Sequence, residues 1–161
     1  MGMDVFLKIE GCDGESVDDA HAGEIDVLAW DWGMSQSGST HTGMGSGSGK
    51  VNVRDLNITK NVDKATPNLM KTCCNGTHYP EALLTVRKAG GAAPVEYYML
   101  RMRPVMITNI ESGGSGDGDR LQETVTLNFG KMEVDYTPQK DDGSADAAIH
   151  IGWDIATNVE L

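Results

Sequence analysis

The sequence predicts a mainly β protein, a small antiparallel β-barrel with one short flanking α-helix. Most of the chain alternates apolar and polar residues with a period of two, which is typical of strands that bury one face. A single segment has helical spacing, and nine of the 20 glycines lie in two loops, at residues 38–49 and 113–118. With 161 residues, of which 39% are apolar and 23% charged, the chain has the size and balance of one folded domain, residues 1–161.

Seven segments carry the strand pattern. They are residues 5–9, 24–32, 51–59, 82–88, 95–110, 121–136 and 149–158. This many strands beside one short helix favour an antiparallel architecture that is closed or nearly closed. Pro104 has no backbone donor, so it marks an edge or a bend within the fifth segment.

The sixth segment changes its inward face partway along. Leu127 and Phe129 have the spacing of core residues, but beyond Gly130 the inward residues begin again at Met132. Such a phase shift predicts a bulge or a tight bend near Gly130. We assign Leu127 and Phe129 to the barrel core.

The second segment is apolar on both faces. Trp30 and Trp32 share one face with Leu28, whereas Ile25 and Val27 lie on the other. Strands that are apolar on both sides need a covering layer on each. We assign Trp30 and Trp32 to the barrel core, and either the chain's own helix or a neighbouring subunit covers the second side.

One segment of about ten residues is predicted to be helical. Thr66 and Pro67 form a helix-start signal, and Gly76 follows its end. A helix this short is marginal alone, so it should lie against the barrel. The side chains expected to pack there are Leu69, Met70 and Cys73.

Charge and cysteine content exclude several classes of protein. The chain has 24 acidic and 13 basic side chains, a formal net charge of −11, which repels nucleic acids and anionic lipid surfaces. No apolar run reaches membrane-spanning length, and no signal peptide is recognisable at the N-terminus, so we expect synthesis in the cytoplasm. Three cysteines are too few for a disulfide framework.

The long Gly- and Ser-rich loop at residues 35–50 invites comparison with a phosphate-binding loop. The match fails because the first required glycine falls on Met44, and because a strand rather than a helix follows Lys50. A loop of this length in a compact domain is usually functional or disordered. We expect an interaction loop and no cofactor.

Catalytic and metal-binding signals are weak. No nucleophile elbow is present, and Cys74 with His78 forms a single irregular pair where a structural zinc site normally shows two. We therefore expect no catalytic residues, no metal site and no enzymatic activity. Two alternatives remain open: a monomeric β-barrel that binds a small ligand, and a metal-dependent enzyme using Cys74 and His78.

A series of segments spanning nearly the whole chain carries a family resemblance. The most distinctive are EIDVLAWDWGMS at residues 24–35 and DKATPNLM at 63–70; the others are residues 6–11, 14–16, 51–59, 87–90, 123–129, 134–136 and 152–155. Taken in order, they resemble the haemolysin-coregulated protein (Hcp) family, the tube subunit of bacterial type VI secretion.

The resemblance implies an assembly rather than an enzyme. It implies a homohexameric ring that stacks into a tube, which is wrapped by sheath proteins and capped by a VgrG-type spike protein. Effector proteins would ride in the lumen. The chain would lie in the bacterial cytoplasm before firing and reach the extracellular space or a target cell without a signal peptide. No toxin domain is expected after the tube domain.

The resemblance also implies roles for particular residues. Asp31 is expected to point toward the lumen, and the Gly-rich loop is expected to contact an adjacent ring or subunit. The loop residues assigned to that contact are Ser37, Ser39, Thr40, His41, Thr42, Met44 and Lys50.

Overall fold

The computed structural model describes residues 2–38, 49–88 and 94–161, which form eleven strands and one helix. The helix, α1 (Thr66–Asn75), lies in sequence between the sixth and seventh strands. The strands are β1 (Met3–Ile9), β2 (Ile25–Asp26), β3 (Ala29–Asp31), β4 (Met34–Ser35), β5 (Asn52–Val53), β6 (Leu56–Asn61), β7 (Ala82–Lys88), β8 (Glu96–Gly113), β9 (Gln122–Tyr136), β10 (Ile149–Asp154) and β11 (Val159–Glu160). The prediction of a mainly antiparallel β fold with one short helix is confirmed.

The barrel wall follows an antiparallel path from β6 through β9, β8 and β7 to β1. The segment that contains β2 and β3 bridges the two ends of this path, because β2 pairs with β1 and β3 pairs with β6. Between them, the Val27 N–H donates to the Val5 carbonyl, and the Leu28 N–H donates to the Thr59 carbonyl. The segment predicted as one strand is therefore bent, with its two halves bound to opposite ends of the wall.

A sharp corner in β8 and β9 separates two parts of the wall. The two strands stay in one register on both sides of Pro104 and Gly130, yet Phe129 and Met132 are both buried. The buried side of the ribbon thus changes at the corner, as the phase shift near Gly130 predicted. Before the corner β9 pairs with β6, and after it β9 pairs with β10.

Helix α1 is held by its ends and by its buried stripe. Gly76, with a φ of 73°, adopts the left-handed conformation that ends many helices, and its N–H donates to the Thr72 carbonyl over 2.9 Å. Thr66, Leu69 and Thr72 are buried, and the helix packs against β8. The Tyr79 hydroxyl lies 2.9 Å from the Thr72 hydroxyl and ties the helix to the chain that follows it.

The helix packs with a different stripe from the predicted one. Leu69 is fully buried and Cys73 is partly buried against the core, but 39% of the Met70 surface is exposed. The expectation that Met70 packs on the barrel is wrong. Successive helix residues point about 100° apart, so a face centred on Leu69 and Thr72 turns Met70 toward solvent.

Candidate functional site

The four residues assigned to the barrel core belong to, or pack against, one continuous apolar cluster. Leu127 and Phe129 are buried, whereas Trp30 and Trp32 are partly buried and pack against the cluster. The ring centroids of Trp30 and Tyr98 are 5.3 Å apart, and those of Trp32 and Phe129 are 6.3 Å apart. These distances are typical of favourable aromatic pairs. The two tryptophans therefore line the outer part of the core.

Leu28 belongs to the doubly apolar segment but not to the core. It is 51% exposed, whereas Val27, on the opposite face of the segment, is buried. Helix α1 packs against β8 and leaves Leu28 half exposed. The helix is therefore not the layer that covers the Leu28 side of this segment.

Asp31 lies at the end of β3 and is exposed. Its carboxylate Oδ1 accepts hydrogen bonds from Arg54 Nη2 at 3.2 Å and from Asn57 Nδ2 at 3.3 Å. Asn57 is also its partner in the pairing of β3 with β6. The side chain is 66% exposed, so the pair with Arg54 contributes little to stability. Asp31 thus presents a polar, charge-paired surface beside the Trp30 strand.

The Gly-rich loop begins and ends at a small two-stranded sheet. β4 pairs with β5, and the Arg54 N–H donates to the Gly33 carbonyl beside it. Ser37 and Lys50, the loop residues nearest this base, are exposed. Five of the loop residues assigned from sequence lie outside the described residues: Ser39, Thr40, His41, Thr42 and Met44.

A buried ionic network joins β6, β9 and the start of α1. The Lys60 and Glu123 side chains are both 0% exposed, and Lys60 Nζ lies 2.5 Å from Glu123 Oε2. Lys60 also donates to Asp63 Oδ1 at 2.8 Å, and the Thr66 hydroxyl donates to Glu123 Oε2 at 2.6 Å. The Ser112 hydroxyl donates to the other Glu123 oxygen at 3.0 Å. Every member of this network has a partner of suitable polarity.

Sequence reasoning missed the Lys60–Glu123 pair, although a signal for it was present. Lys60 continues the inward phase of Leu56 and Ile58, and Glu123 precedes Val125 in the same phase. A charged residue at an inward position of a strand requires a partner of opposite charge. Lys60 and Glu123 are also directly opposite each other in the pairing of β6 with β9.

A second charged cluster fastens residues 10–24 to the barrel. His21 Nδ1 lies 2.9 Å from Glu24 Oε2, and its Nε2 lies 2.5 Å from Glu96 Oε1 on β8. The imidazole stacks on Phe6 of β1 with ring centroids 4.3 Å apart. Burial opposes the charged form, but the hydrogen bonds to Glu96 and Glu24 outweigh it and raise the pKa of His21 above its usual value of 6.5.

Arg87 of β7 completes this cluster. Its guanidinium donates to both oxygens of Asp18, at 2.9 and 2.7 Å, and to Asp4 at 2.9 Å. The hydrogen bonds from Arg87 hold the pKa of Asp18 at about 2, and Asp18 with Asp4 raises the pKa of Arg87. The guanidinium carbon also lies 5.0 Å from the centre of the Phe6 ring. The Arg87 guanidinium and the Asp18 carboxylate therefore both stay charged throughout the physiological pH range.

The His21 contacts predict a pH-dependent stability. Because the pKa of His21 is raised in the folded state, its stabilisation is fully present below about pH 6.5 and is lost as pH rises through the folded-state pKa. We expect the difference in unfolding free energy between the wild type and His21→Gln to shrink as pH rises. Urea unfolding of both proteins from pH 5.5 to 9 measures it, and a difference that stays constant or grows with pH would contradict the assignment.

Among the described residues, Cys74 and His78 are not part of any group of three or more side chains that could bind a metal. Cys74 and His78 are both exposed near the end of α1. Within residues 2–38, 49–88 and 94–161, no group of three or more His, Cys, Asp and Glu side chains could hold a metal ion. Cys12 is buried, and burial raises the pKa of its thiol. In the same described ranges, no helix is both long and apolar enough to span a bilayer.

The fold defines a small antiparallel β-barrel whose interior is filled by a continuous cluster of apolar side chains. A sequence profile described as "Type VI secretion system effector, Hcp" matches residues 6–136. The chain therefore belongs to the Hcp family of type VI secretion tube proteins.

Individual relatives agree over the full length. The chain is 56% identical over 161 residues to the protein hcp1 of Pseudomonas aeruginosa, with 99% of each chain covered. The crystal structure of Hcp1 from Salmonella typhimurium matches with 38% identity and a TM-score of 0.82, covering all of both chains. A solved type six secretion system protein matches with 28% identity and a TM-score of 0.93, covering 99% of this chain and all of that one.

These similarities establish the functional class. The resemblance noted from the sequence is confirmed, and the protein is a secreted tube protein of type VI secretion. The comparisons support this reading rather than the alternative of a monomeric ligand-binding barrel.

Proposed function

We propose that this chain forms a homohexameric ring and that the rings stack into the inner tube of a type VI secretion apparatus. A contractile sheath would expel the tube, a VgrG-type spike would cap it, and effector proteins would travel in its lumen. The observation that carries the proposal is the similarity to Hcp proteins over nearly the whole chain. On this proposal the chain acts by assembly, with no catalytic residues, no metal and no cofactor.

Residue roles follow from this assembly. Asp31, exposed beside the bent segment, would face the lumen, where its hydrogen bonds to Arg54 and Asn57 would hold the carboxylate in place. The Gly-rich loop, which includes Ser37 and Lys50, would contact the adjacent ring. The chain would remain in the bacterial cytoplasm until firing and would leave through the apparatus.

Electrostatics shapes the expected assembly. Each chain carries a formal charge of −11, so neighbouring copies repel one another and apolar contact must offset that repulsion. A closed ring repeats one heterologous interface, and closure stabilises contacts that are modest individually.

Ring formation is expected to respond to salt in two phases. Added salt screens the repulsion between acidic copies and should favour the ring, until higher concentrations screen specific ion pairs as well. Native mass spectrometry should find six times the mass of one chain, and sedimentation across a salt series follows the equilibrium. Rings that dissociate steadily from the lowest salt upward would contradict the electrostatic account, and a single-chain mass at every protein concentration would reject the ring.

A further inference from the structure

Residues 14–24, which we call the strap, connect β1 to β2 and have a backbone that is bonded to itself. The Gly14 N–H donates to the Gly23 carbonyl, the Gly23 N–H donates to the Ser16 carbonyl, and the Ser16 N–H donates to the Glu24 carbonyl, all within 2.9 Å. In the part of the chain that the structure describes, every backbone–backbone hydrogen bond of the strap joins two strap residues. The strap is therefore attached to the barrel through side chains.

Little apolar surface holds the strap in place. Its only large apolar side chain is Val17, which is 96% exposed. A cavity of about 250 Å³ is lined both by strap residues Ser16, Val17 and Asp18 and by Asp4 and Phe6 of β1. Burial of apolar surface, which usually fastens such a segment, is small here.

Charged side chains attach the strap instead. Asp18 binds Arg87 of β7, and His21 Nε2 lies 2.5 Å from Glu96 Oε1 of β8. The Asp18 contact does not change near neutral pH, because the pKa of Asp18 is held at about 2. The His21 contact does, because an imidazole gains or loses its proton in the neutral range.

The charged groups around His21 are mostly carboxylates. Those of the strap itself are Glu15, Asp18, Asp19 and Glu24. Those of the neighbouring elements are Asp4 of β1, Asp26 of β2, Arg87 of β7, Glu96 of β8 and Lys64 before α1. Burial raises the pKa of Asp26, and the nearby carboxylates add to the increase. Loss of the His21 proton therefore leaves negative charge on both sides of the contact with fewer cations between them.

We propose that the strap is a pH-released cover for Phe6, closed over the ring while the His21 imidazole is protonated and lifted away when that proton is lost. In the closed state the imidazole donates to both Glu24 and Glu96 and stacks on Phe6, which is 4% exposed. A neutral imidazole has one donor, so it can hold only one of the two carboxylates. Arg87 continues to hold Asp18, so the strap stays tethered when it opens.

The direction of the response follows from the His21 contacts. Because they raise the pKa of His21 above 6.5, the strap is fully closed below that pH and opens as pH rises through the folded-state pKa. This opening is local and leaves the barrel folded, so it differs from the change in global stability described above. It does not depend on the proposed ring.

The test follows hydrogen exchange in the strap as pH rises. Mass spectrometry compares residues 10–24 with β9 in the wild type, corrected for the intrinsic exchange rate, at a protomer concentration that gives one assembly state at every pH. We expect strap protection to fall about tenfold between pH 6 and pH 9, the loss of one hydrogen bond to a charged group. The fall should follow the NMR titration of His21 and should not respond to about 1 M urea, because a local opening exposes little surface.

The same substitution at two histidines makes the result specific. His21→Gln should leave weak strap protection that no longer depends on pH. His150→Gln, at a side chain that is 50% exposed on β10, should behave like the wild type. If His21→Gln does not fold, Glu96→Gln keeps the test decisive, because it should move the His21 titration and the strap opening to lower pH together.

Three results would overturn the inference. The first is wild-type strap protection that stays constant from pH 6 to pH 9, and the second is a fall that persists in His21→Gln. The third is strap protection equal to that of β9 and equally weakened by urea, since the strap would then open only when the barrel unfolds. The mass of the assembly tests the proposed ring separately.

Discussion

Lys60→Met is expected to lower the free energy of unfolding by about 3–5 kcal/mol, because it leaves the buried Glu123 carboxylate without its cation. Both side chains are fully buried, and Nζ is the atom that joins Glu123 to Asp63. Loss of the cation should also loosen the start of α1, since Thr66 shares the same Glu123 oxygen. Urea unfolding at one fixed protomer concentration measures the change, because assembly contributes to the apparent stability.

Two further variants make the Lys60 result specific. Lys131→Met removes a lysine that is 48% exposed and 4.0 Å from Asp154, so it should cost less than about 1 kcal/mol. Combining Lys60→Met with Glu123→Gln removes the orphaned charge and should recover part of the loss. If Lys60→Met behaves like Lys131→Met, the buried pair is not what joins β6, β9 and the helix.

Leu127→Ala is expected to cost about 2–5 kcal/mol, because it opens a cavity at the centre of the barrel. Leu127 is 0% exposed and lies on β9 between two strands, opposite Leu56 of β6 and Ile107 of β8. A strand paired on both sides has little freedom to collapse into the space. Chemical unfolding of the wild type and the variant at equal protomer concentration gives the difference.

Leu121→Ala is the matched control for the core variant. Leu121 immediately precedes β9, carries the same side chain and is 58% exposed, so its truncation should change the unfolding free energy by no more than about 0.5 kcal/mol. Equal costs at the two positions would show that burial of Leu127 does not dominate the stability of this strand.

Local signals in the sequence were sufficient to predict several elements of the fold. The helix at Thr66–Asn75 follows from a proline near its start and a glycine after its end, both of which act on their own neighbourhood. The strand at Ala82–Lys88 matches its predicted bounds, and the change of face near Gly130 was visible in the spacing of Phe129 and Met132. The order of the matching segments was also sufficient to identify the family.

Partners distant in sequence decided the rest. The segment at residues 24–32 has the alternation of one strand, but it forms two. Its first half pairs with β1, whereas its second half pairs with β6. Met70 has the same spacing as a core residue, yet the face that β8 contacts centres on Leu69 and Thr72. The lumen position of Asp31 and the contacts of the Gly-rich loop remain predictions of the assembly.

By itself the sequence therefore determined the class of fold, its single helix and the family, because periodicity, capping residues and motif order are local properties of the chain. Only the tertiary structure decided that Lys60 meets Glu123 and that His21 is held between Glu24 and Glu96. Burial and charge pairing depend on which strands lie side by side, and strand pairing brings together residues that are far apart in the chain.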